Sequence, residues 1–183
     1  SGGVTDIQTG ANSGAFDFDG TDDTLGLGTV ADSDQSLTVM AWVNTDNATK
    51  EQRIISKTDD GNFASGMLAI DIGVDFNPRF FVFDNSAFPN VTSPNQITAN
   101  QFTHVAGRLD FPASEITLFV NGQPKATDTV GTVAQLSSQP WTIGEDKPNT
   151  EDEHLDGTVD GARIYQAALS DSQINQIYLN TQP

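Results

Sequence analysis

The sequence predicts an all-β protein, in which two antiparallel sheets pack as a sandwich and one short helix lies near the C-terminus. Three observations support this prediction. Apolar and polar residues alternate with a period of two through much of the 183-residue chain, as in strands with one buried face. Turn-forming residues separate the alternating segments, which is typical of sandwiches. A helical period appears only from residue 170 onwards.

The first strand is predicted in "GAFDFDG" (14–20), where Phe16 and Phe18 alternate with Asp17 and Asp19. Each further segment has turn residues near its ends, and the alternation continues through all of them. These further predicted strands are "SLTVMAWV" (36–43), "GMLAIDIG" (66–73), "RFFVFD" (79–84), "THVAGRLD" (103–110), "EITLFVNG" (115–122) and a final long strand from Leu155 to Tyr165.

The Asn121-Gly122 step predicts a hairpin at the end of the segment 115–122. A tight type I′ turn requires positive φ at both central positions, and Asn followed by Gly is the pair that tolerates this best. We therefore expect the residues after Gly122 to return antiparallel to the strand before it.

The helix is predicted from local signals that mark its start. Ser170 is a candidate N-cap, and Gln173 three residues later completes a capping box. Leu169 and Ile174 form a hydrophobic staple across this start. Two turns of helix are hardly stable alone, so the helix must dock on a sheet. The stripe that would face the sheet consists of Ile174, Ile177 and Tyr178.

We expect the whole chain, 1–183, to form a single domain, with an irregular N-terminal segment over 1–12 and a tail or linker start at 180–183. The absence of cysteine excludes disulfides, cysteine zinc sites and thiol nucleophiles. No apolar run approaches the roughly 20 residues of a membrane span, so we expect no direct membrane insertion, and no signal peptide is evident. From the start without Met we expect a processed or excised domain that belongs to a larger multidomain protein.

The chain is strongly acidic, with 25 Asp and Glu against 8 Lys and Arg and a net charge of −17. A field of this sign repels phosphate backbones, which argues against nucleic-acid partners. Three explanations of the acidity remain open. Asp suits turns, it supplies oxygen ligands to Ca²⁺, and an acidic, halophilic surface stays hydrated in concentrated salt.

Six segments match the motifs of a known family, in the order of that family: "SGAFDFDGTDDTLGLG" (13–28), "SLTVMAWVN" (36–44), "RIISKTDDGN" (53–62), "QFTHVAGRLD" (101–110), "ITLFVNGQ" (116–123) and "LDGTVDGARIYQAALSDSQI" (155–174). On these motifs the chain resembles the laminin-G-like, pentraxin-related branch of the concanavalin A-like domains. The resemblance implies a two-sheet antiparallel jelly-roll sandwich with one short C-terminal helix. It does not imply one function, because this fold hosts lectins, hydrolases, lyases and adhesion modules.

The resemblance also implies a structural calcium ion, because related domains often hold one where the opening F-D-G turn meets the last long strand. On this basis Asp19 and Asp160 would supply side-chain ligands, and Gly20 and Gly157 would add backbone carbonyls. Such a set suits Ca²⁺, which binds roughly six to eight oxygens. The alternative is that Asp19 and Gly20 form an ordinary turn and that Asp160 bonds to nearby amides or to Arg163.

Two acidic loops (58–62 and 145–153) and one aromatic loop (84–90) are candidates for ligand binding, because sandwiches of this kind place function on loops. Phe88 is the aromatic residue that we expect to be exposed in the third loop. For the acidic loops the alternative is a solvated surface without a ligand. The candidate ligand-binding residues are Asp59, Asp60, Asn62, Asp84, Asn85, Phe88, Asn90, Glu145 and Asp146.

The sequence contains no clear catalytic motif, and we predict no catalytic residues. A glycosidase needs two carboxylates roughly 5 to 9.5 Å apart. The best local match, Glu151-Asp152-Glu153, lies in a loop and lacks the expected strand alternation. His104 fits a scaffold role within a strand, and His154 has no Ser or Cys partner that would complete a triad.

These observations lead us to expect a secreted or cell-surface recognition module, non-catalytic, that binds polysaccharide or cell-surface glycan or mediates adhesion. We expect Ca²⁺ as its structural cofactor. The alternative is a structural or protein-interaction domain without a glycan ligand. A glycan-active hydrolase or lyase is the third possibility.

Overall fold

A computed structural model describes residues 5–7, 14–29, 36–47, 49–57, 67–84, 87–131, 136, 138–145 and 153–183. Thirteen strands and one helix lie within these residues. In chain order they are β1 (Thr5–Ile7), β2 (Ala15–Asp19), β3 (Leu25–Gly28), β4 (Leu37–Asn44), β5 (Gln52–Lys57), β6 (Leu68–Ile72), β7 (Pro78–Val82), β8 (Asn90–Thr92), β9 (Thr103–Asp110), β10 (Glu115–Val120), β11 (Gln123–Thr129), β12 (Trp141–Ile143), β13 (Asp156–Tyr165) and α1 (Asp171–Asn180). In this part of the chain, no helix has the length and apolarity that crossing a membrane requires.

The strands form two sheets, and all pairings between the described strands are antiparallel. The seven-stranded sheet has the order β1-β2-β13-β4-β9-β10-β11, and the six-stranded sheet has the order β3-β12-β5-β6-β7-β8. Strands that are distant in the sequence, such as β2 and β13, are therefore neighbours. This topology confirms the predicted jelly-roll sandwich.

One hydrophobic core lies between the sheets and draws alternate residues from both of them. Val39 and Val43 of β4 and Ile70 of β6 belong to this core and are fully buried. Gly107 of β9 faces the ring of Phe80 so closely that an added Cβ would lie within 3.0 Å of it. The packing density between the sheets therefore depends on a residue without a side chain at this position.

The predicted strand segments are strands in the structure, and the hairpin prediction is confirmed as well. Asn121 has φ of 51° and Gly122 has φ of 71°, and β10 and β11 pair on either side of them. Sequence alternation did not identify β1, β3, β5, β8, β11 and β12. β1, β8 and β12 are only three residues long, and β11 lies at a sheet edge with mostly exposed residues.

The helix begins as predicted and docks on the outer face of the seven-stranded sheet. The Ser170 Oγ accepts the backbone N–H of Gln173 at 3.3 Å, and the Gln173 side chain accepts the Ser170 N–H at 2.9 Å, which completes the capping box. Ile174 is fully buried in a second apolar cluster, and the staple residue Leu169 packs against that cluster. The sheet residues of this cluster are Met40, Ala106 and Phe119.

Candidate functional site

The outer face of the six-stranded sheet carries a row of charged residues that the strand register brings together. The alternation that turns Ile70 and Ile72 of β6 into the core turns Asp71 to the opposite face. Asp71 pairs with Arg53 of β5 on one side and with Arg79 of β7 on the other. Cross-strand neighbours on one face lie within contact distance of each other.

Asp71 is fully buried and accepts hydrogen bonds from both arginines. Nε and Nη2 of Arg79 donate to Oδ1 and Oδ2 of Asp71 at 2.7 and 2.9 Å, and Nη1 of Arg53 donates to Oδ2. Arg79 also pairs with Glu51 at 2.7 Å, and Arg53 pairs with Glu153 at 2.8 Å. We call these five residues the charged row. Because Asp71 is held by a bidentate contact, the guanidinium of Arg79 has a fixed plane.

The charged row keeps its arginines charged and already paired. Burial raises the pKa of Asp71, against the opposing effects of the hydrogen bond from Arg79 and the charge of Arg53. The hydrogen bond from Arg79 holds the pKa of Glu51 below its usual value, although burial acts in the other direction. Burial acts to lower the pKa of Arg79, but the hydrogen bonds of Arg79 to Glu51 and Asp71 together have the larger effect. The pKa of Arg79 is therefore raised. Three acids thus face two bases, so the row is not an anion-binding site.

Three phenylalanines lie next to the charged row, and we call them the phenylalanine cluster: Phe81, Phe83 and Phe88. The guanidinium of Arg53 lies 4.9 Å from the centre of the Phe81 ring, which joins the cluster to the row. The Phe88 ring centre is 4.5 Å from that of Phe83 and 6.4 Å from that of Phe81. Phe88 is 41% exposed, as the sequence predicted for this loop residue. The cluster therefore offers an aromatic surface at the edge of a polar face.

The other predicted ligand-binding residues within the described part of the chain have different environments. Asn90 is exposed on β8 opposite Phe81, and its Nδ2 donates to the Phe88 carbonyl at 3.1 Å. Asp84 is buried, and its carboxylate accepts the N–H groups of Ala87 and Gly131 at 2.9 and 2.8 Å, which gives it a role in holding the β7–β8 loop. The carbonyl of Glu145 accepts the Ser56 hydroxyl at 2.7 Å.

Five predicted ligand-binding residues cannot be placed relative to this face, because they lie outside the described residues. They are Asp59, Asp60, Asn62, Asn85 and Asp146. Glu151 and Asp152, two residues of the carboxylate run 151–153, also lie outside the described part of the chain. Glu153 belongs to the charged row, where its carboxylate pairs with Arg53.

The predicted calcium ligands do not form one group. β2 and β13 are neighbours as expected, but the residue opposite Asp19 is Asp156, and Asp160 lies opposite Trp42 of β4. Asp160 lies four positions after Asp156 along the strand, a distance of about 13 Å. This corrects the expectation that Asp19 and Asp160 share a site. Asp160 lies instead at a bulge in β13.

The turn after β2 has its own acidic cluster. Carboxylate oxygens of Asp19, Asp22 and Asp23 lie within 4.8 Å of one another. The carbonyl of Gly20, a predicted ligand, accepts a hydrogen bond from the Lys50 ammonium at 2.6 Å. Gly157, the other predicted carbonyl ligand, pairs with Phe18 within the sheet. Asp19 thus belongs to an acidic cluster in its own turn, and a calcium ion at this end of β13 stays a prediction.

Sequence reasoning did not predict four members of the charged row as site residues. They are Glu51, Arg53, Asp71 and Arg79. One signal was present: Asp71 interrupts "LAIDI", whose alternate residues are all apolar. A charge in a buried strand requires partners. Those partners come from β5 and β7, so they could be named only once the strand order and register were known.

Comparisons with known proteins agree with the fold. No curated protein sequence matches the chain. A SAP-like pentraxin from Limulus polyphemus matches with a TM-score of 0.71 and 19% identity, over 90% of this chain and 81% of that chain. Domain 4 of AbnA, a GH43 extracellular arabinanase from Geobacillus stearothermophilus, was solved in complex with arabinotriose. It matches with a TM-score of 0.74 and 21% identity, over 100% of this chain and 82% of that chain.

A third similar structure is a proposed carbohydrate binding protein from Bacteroides ovatus, with a TM-score of 0.68 and 18% identity. The match covers 85% of this chain but only 45% of that one, so this chain spans less than half of that protein. At such identities the likeness establishes the fold alone. The family model described as "Concanavalin A-like lectin/glucanases superfamily" (Laminin_G_3) matches residues 19–175, and the chain therefore belongs to this family.

Proposed function

We propose that the chain is a non-catalytic extracellular recognition module that binds carbohydrate on the outer face of the six-stranded sheet. The observation that carries the proposal is the exposed Phe88, which is 41% accessible beside the charged row. Sugar-binding sites combine aromatic surface, which packs against the C–H groups of a sugar ring, with a few fixed polar groups that bond its hydroxyls.

The polar groups next to the phenylalanine cluster are accessible and ordered. The side chain of Arg79 is 26% exposed and that of Glu51 is 39% exposed, although both are held by ion pairs. Asn90 and Thr92 are exposed on the neighbouring strand, opposite Phe81 and Arg79. Groups that are held in place before binding lose little conformational entropy on binding, which favours affinity.

The similar structures support a glycan ligand and an extracellular location. One is a domain of an extracellular arabinanase that was solved with arabinotriose, and another is a proposed carbohydrate binding protein. We therefore propose that this chain is secreted or lies at the cell surface and that its partner is a polysaccharide or cell-surface glycan. We also propose that it is part of a larger multidomain protein.

A glycan array tests the proposal directly, with the wild-type chain, Phe88→Ala and a matched control. Leu179→Ala is the control, because Leu179 is also an exposed apolar residue, 57% accessible, but lies on the helix. We expect Phe88→Ala to weaken glycan binding about tenfold, which corresponds to roughly 1.4 kcal/mol of aromatic contact. Leu179→Ala should bind as the wild type does.

Two results would contradict the proposal. If the wild-type chain binds no glycan on a broad array, the protein-interaction alternative is favoured. If Phe88→Ala and Leu179→Ala both bind the glycan as tightly as the wild type does, the ligand lies on another surface. Incubation with the bound polysaccharide, followed by a reducing-end assay, tests the non-catalytic part, because newly formed reducing ends would show glycan hydrolysis.

We propose a structural calcium ion at the turn after β2, as a separate part of this function. The donor set of Asp19, Asp22 and Asp23 consists of hard carboxylate oxygens, which Ca²⁺ prefers. Asp23 is only 5% exposed, and its buried Oδ1 has no hydrogen-bond partner among the described residues. A buried carboxylate oxygen without a partner costs free energy that a bound cation would offset.

Thermal unfolding with calcium and with chelator tests this ion. A ligand that binds only the folded state raises the melting temperature by mass action. We expect calcium to stabilise the wild type and to have no effect on Asp23→Asn. Asp160→Asn, a variant of the other predicted ligand, should respond to calcium as the wild type does. An unchanged melting temperature in the wild type would overturn the calcium proposal.

A further inference from the structure

The exposed cation of the charged row already has both of its binding edges filled. The guanidinium of Arg79 has two edges that can each hold a carboxylate or sulfate at two points. Asp71 occupies the first edge, where Nε and Nη2 donate to it at 2.7 and 2.9 Å. Glu51 occupies the second edge, where Nη1 lies 2.9 Å from its Oε1 and Nη2 lies 2.7 Å from its Oε2. The chain itself therefore supplies both anions that this arginine can hold in a two-point contact.

Arg53, the other cation of the charged row, is only 8% exposed and is held on three sides. Its Nη1 donates to Asp71, its Nη2 pairs with Glu153 at 2.8 Å, and its guanidinium lies 4.9 Å from the centre of the Phe81 ring. A ligand anion could reach Arg53 only by displacing a buried acid, which would then lack its partner. Neither arginine of the charged row is therefore open to an anionic sugar.

The accessible groups of this face are one carboxylate and two neutral side chains. The Glu51 side chain is 39% exposed, and it is ionised at neutral pH because the hydrogen bond from Arg79 holds its pKa below the usual value. Asn90 and Thr92 are exposed on β8, and they share the face of the residues opposite them on β7. An ionised carboxylate accepts hydrogen bonds from sugar hydroxyls but repels a sugar carboxylate or sulfate.

We propose that this face is selective for uncharged glycans and that Glu51 is the residue that excludes anionic ones, such as uronate-containing or sulfated chains. This inference rests on the proposed function, because it names the class of glycan that the same face binds. Hydroxyls of a neutral chain donate to Glu51, while one of its rings lies against Phe88. An anionic chain instead brings its charge next to the Glu51 carboxylate, and Arg79 has no second two-point edge with which to compensate it.

The charge of the whole chain acts in the same direction but over a longer range. A net charge of −17 repels anions from the entire surface. Salt screens that repulsion over about 8 Å at an ionic strength of about 0.15 M. Glu51 acts at contact distance, so its effect persists at this ionic strength. Removal of a single acid from this face or from a distant surface therefore separates the two contributions.

A glycan array read at about 0.15 M NaCl tests the ligand class. It carries neutral and anionic glycans, including three pairs that share a backbone: mannan and polymannuronate, methyl-esterified and free homogalacturonan, and cello-oligosaccharides and their glucuronate forms. We expect the wild-type chain to bind neutral glycans, and to bind the anionic member of a pair about tenfold more weakly than the neutral member, because like charges meet at Glu51.

Substitution of Glu51 should change this selectivity. Glu51→Ala uncovers the second edge of Arg79, so the ratio of anionic to neutral binding should rise about tenfold. Glu51→Gln keeps the size of the side chain and should raise the ratio in the same direction, which guards against a change of local structure. Asp128→Ala is the matched control, because it removes one acid from an exposed position on β11, at the edge of the other sheet. It should leave the ratio unchanged.

Two results would overturn the ligand class and leave the glycan-binding function intact. The first is a wild-type chain that binds anionic glycans as tightly as neutral ones. The second is a ratio of anionic to neutral binding that rises no more in Glu51→Ala and Glu51→Gln than in Asp128→Ala. A wild-type chain that binds glycans of neither class overturns the proposed function and this inference together.

Discussion

Mild acid should destabilise the protein through His104. The imidazole of His104 is fully buried beneath the C-terminal helix, with ring-centre distances of 5.3 Å to Trp42 and 5.9 Å to Tyr178. Neither of its ring nitrogens has a hydrogen-bond partner among the described residues. Burial, together with the positive charge of Arg163, lowers the pKa of His104 from 6.5 to about 4. The folded protein therefore holds this imidazole neutral at pH values where the unfolded chain takes up a proton.

The sign and size of the effect follow from proton linkage. Because the pKa of His104 is depressed in the folded state, its contribution to stability is fully present above pH 6.5 and is lost as the pH falls towards 4. The two pKa values differ by about 2.5, and at roughly 1.36 kcal/mol for each tenfold change the loss reaches about 3 kcal/mol. At about pH 5, roughly 2 kcal/mol of this would already be lost.

Urea unfolding at about pH 7.5 and pH 5 measures this loss, with His104→Leu as the test variant. Near pH 7.5 the variant should be as stable as the wild type or more so, because the change removes no hydrogen bond between the ring nitrogens and the described part of the chain. Near pH 5 the wild type should have lost about 2 kcal/mol more than the variant. If His104→Leu loses stability as steeply as the wild type, the reasoning is refuted.

Four further predictions concern stability. Gly107→Ala should destabilise the fold by about 1–3 kcal/mol because its Cβ meets the Phe80 ring, whereas Gly26→Ala, with open space at its Cβ, should be nearly neutral in the same urea titration. Asp71→Ala should cost about 3–5 kcal/mol, since it leaves the buried Arg53 and the half-buried Arg79 without their shared partner, and an equal effect of the exposed Asp128→Ala would contradict this. Ser170→Ala should cost about 1 kcal/mol through loss of the capping box, and Ser172→Ala, as the control in thermal unfolding, should cost less. The chain has a net charge of −17. If the acidic surface is an adaptation to salt, the melting temperature should rise from low salt to molar KCl, because salt screens the repulsion between the acids. A melting temperature that does not change would favour turn chemistry or metal binding as the cause of the acidity.

Local features of this protein were predictable because their causes lie within a few residues. The Asn121-Gly122 hairpin follows from the positive φ that both residues tolerate, and the structure has φ of 51° and 71° there. The helix start follows from Ser170 and Gln173, which satisfy each other's backbone groups. The exposure of Phe88 follows from its position between turn-forming residues. Alternation alone predicted β2, β4, β6, β7, β9, β10 and β13 for the same reason, since one buried face requires a period of two.

The candidate sites depend on contacts between residues that are distant in the sequence. Arg53, Asp71 and Arg79 meet because β5, β6 and β7 pair in one register, and a shift of one residue would turn Asp71 into the core. Register also separates Asp160 from Asp19 and places it opposite Trp42 of β4 instead. The amino-acid sequence by itself therefore determined which segments form strands and where the helix begins, because these choices are local. Only the tertiary structure decided which charges lie together, because strand order and register are settled by burial of the whole core.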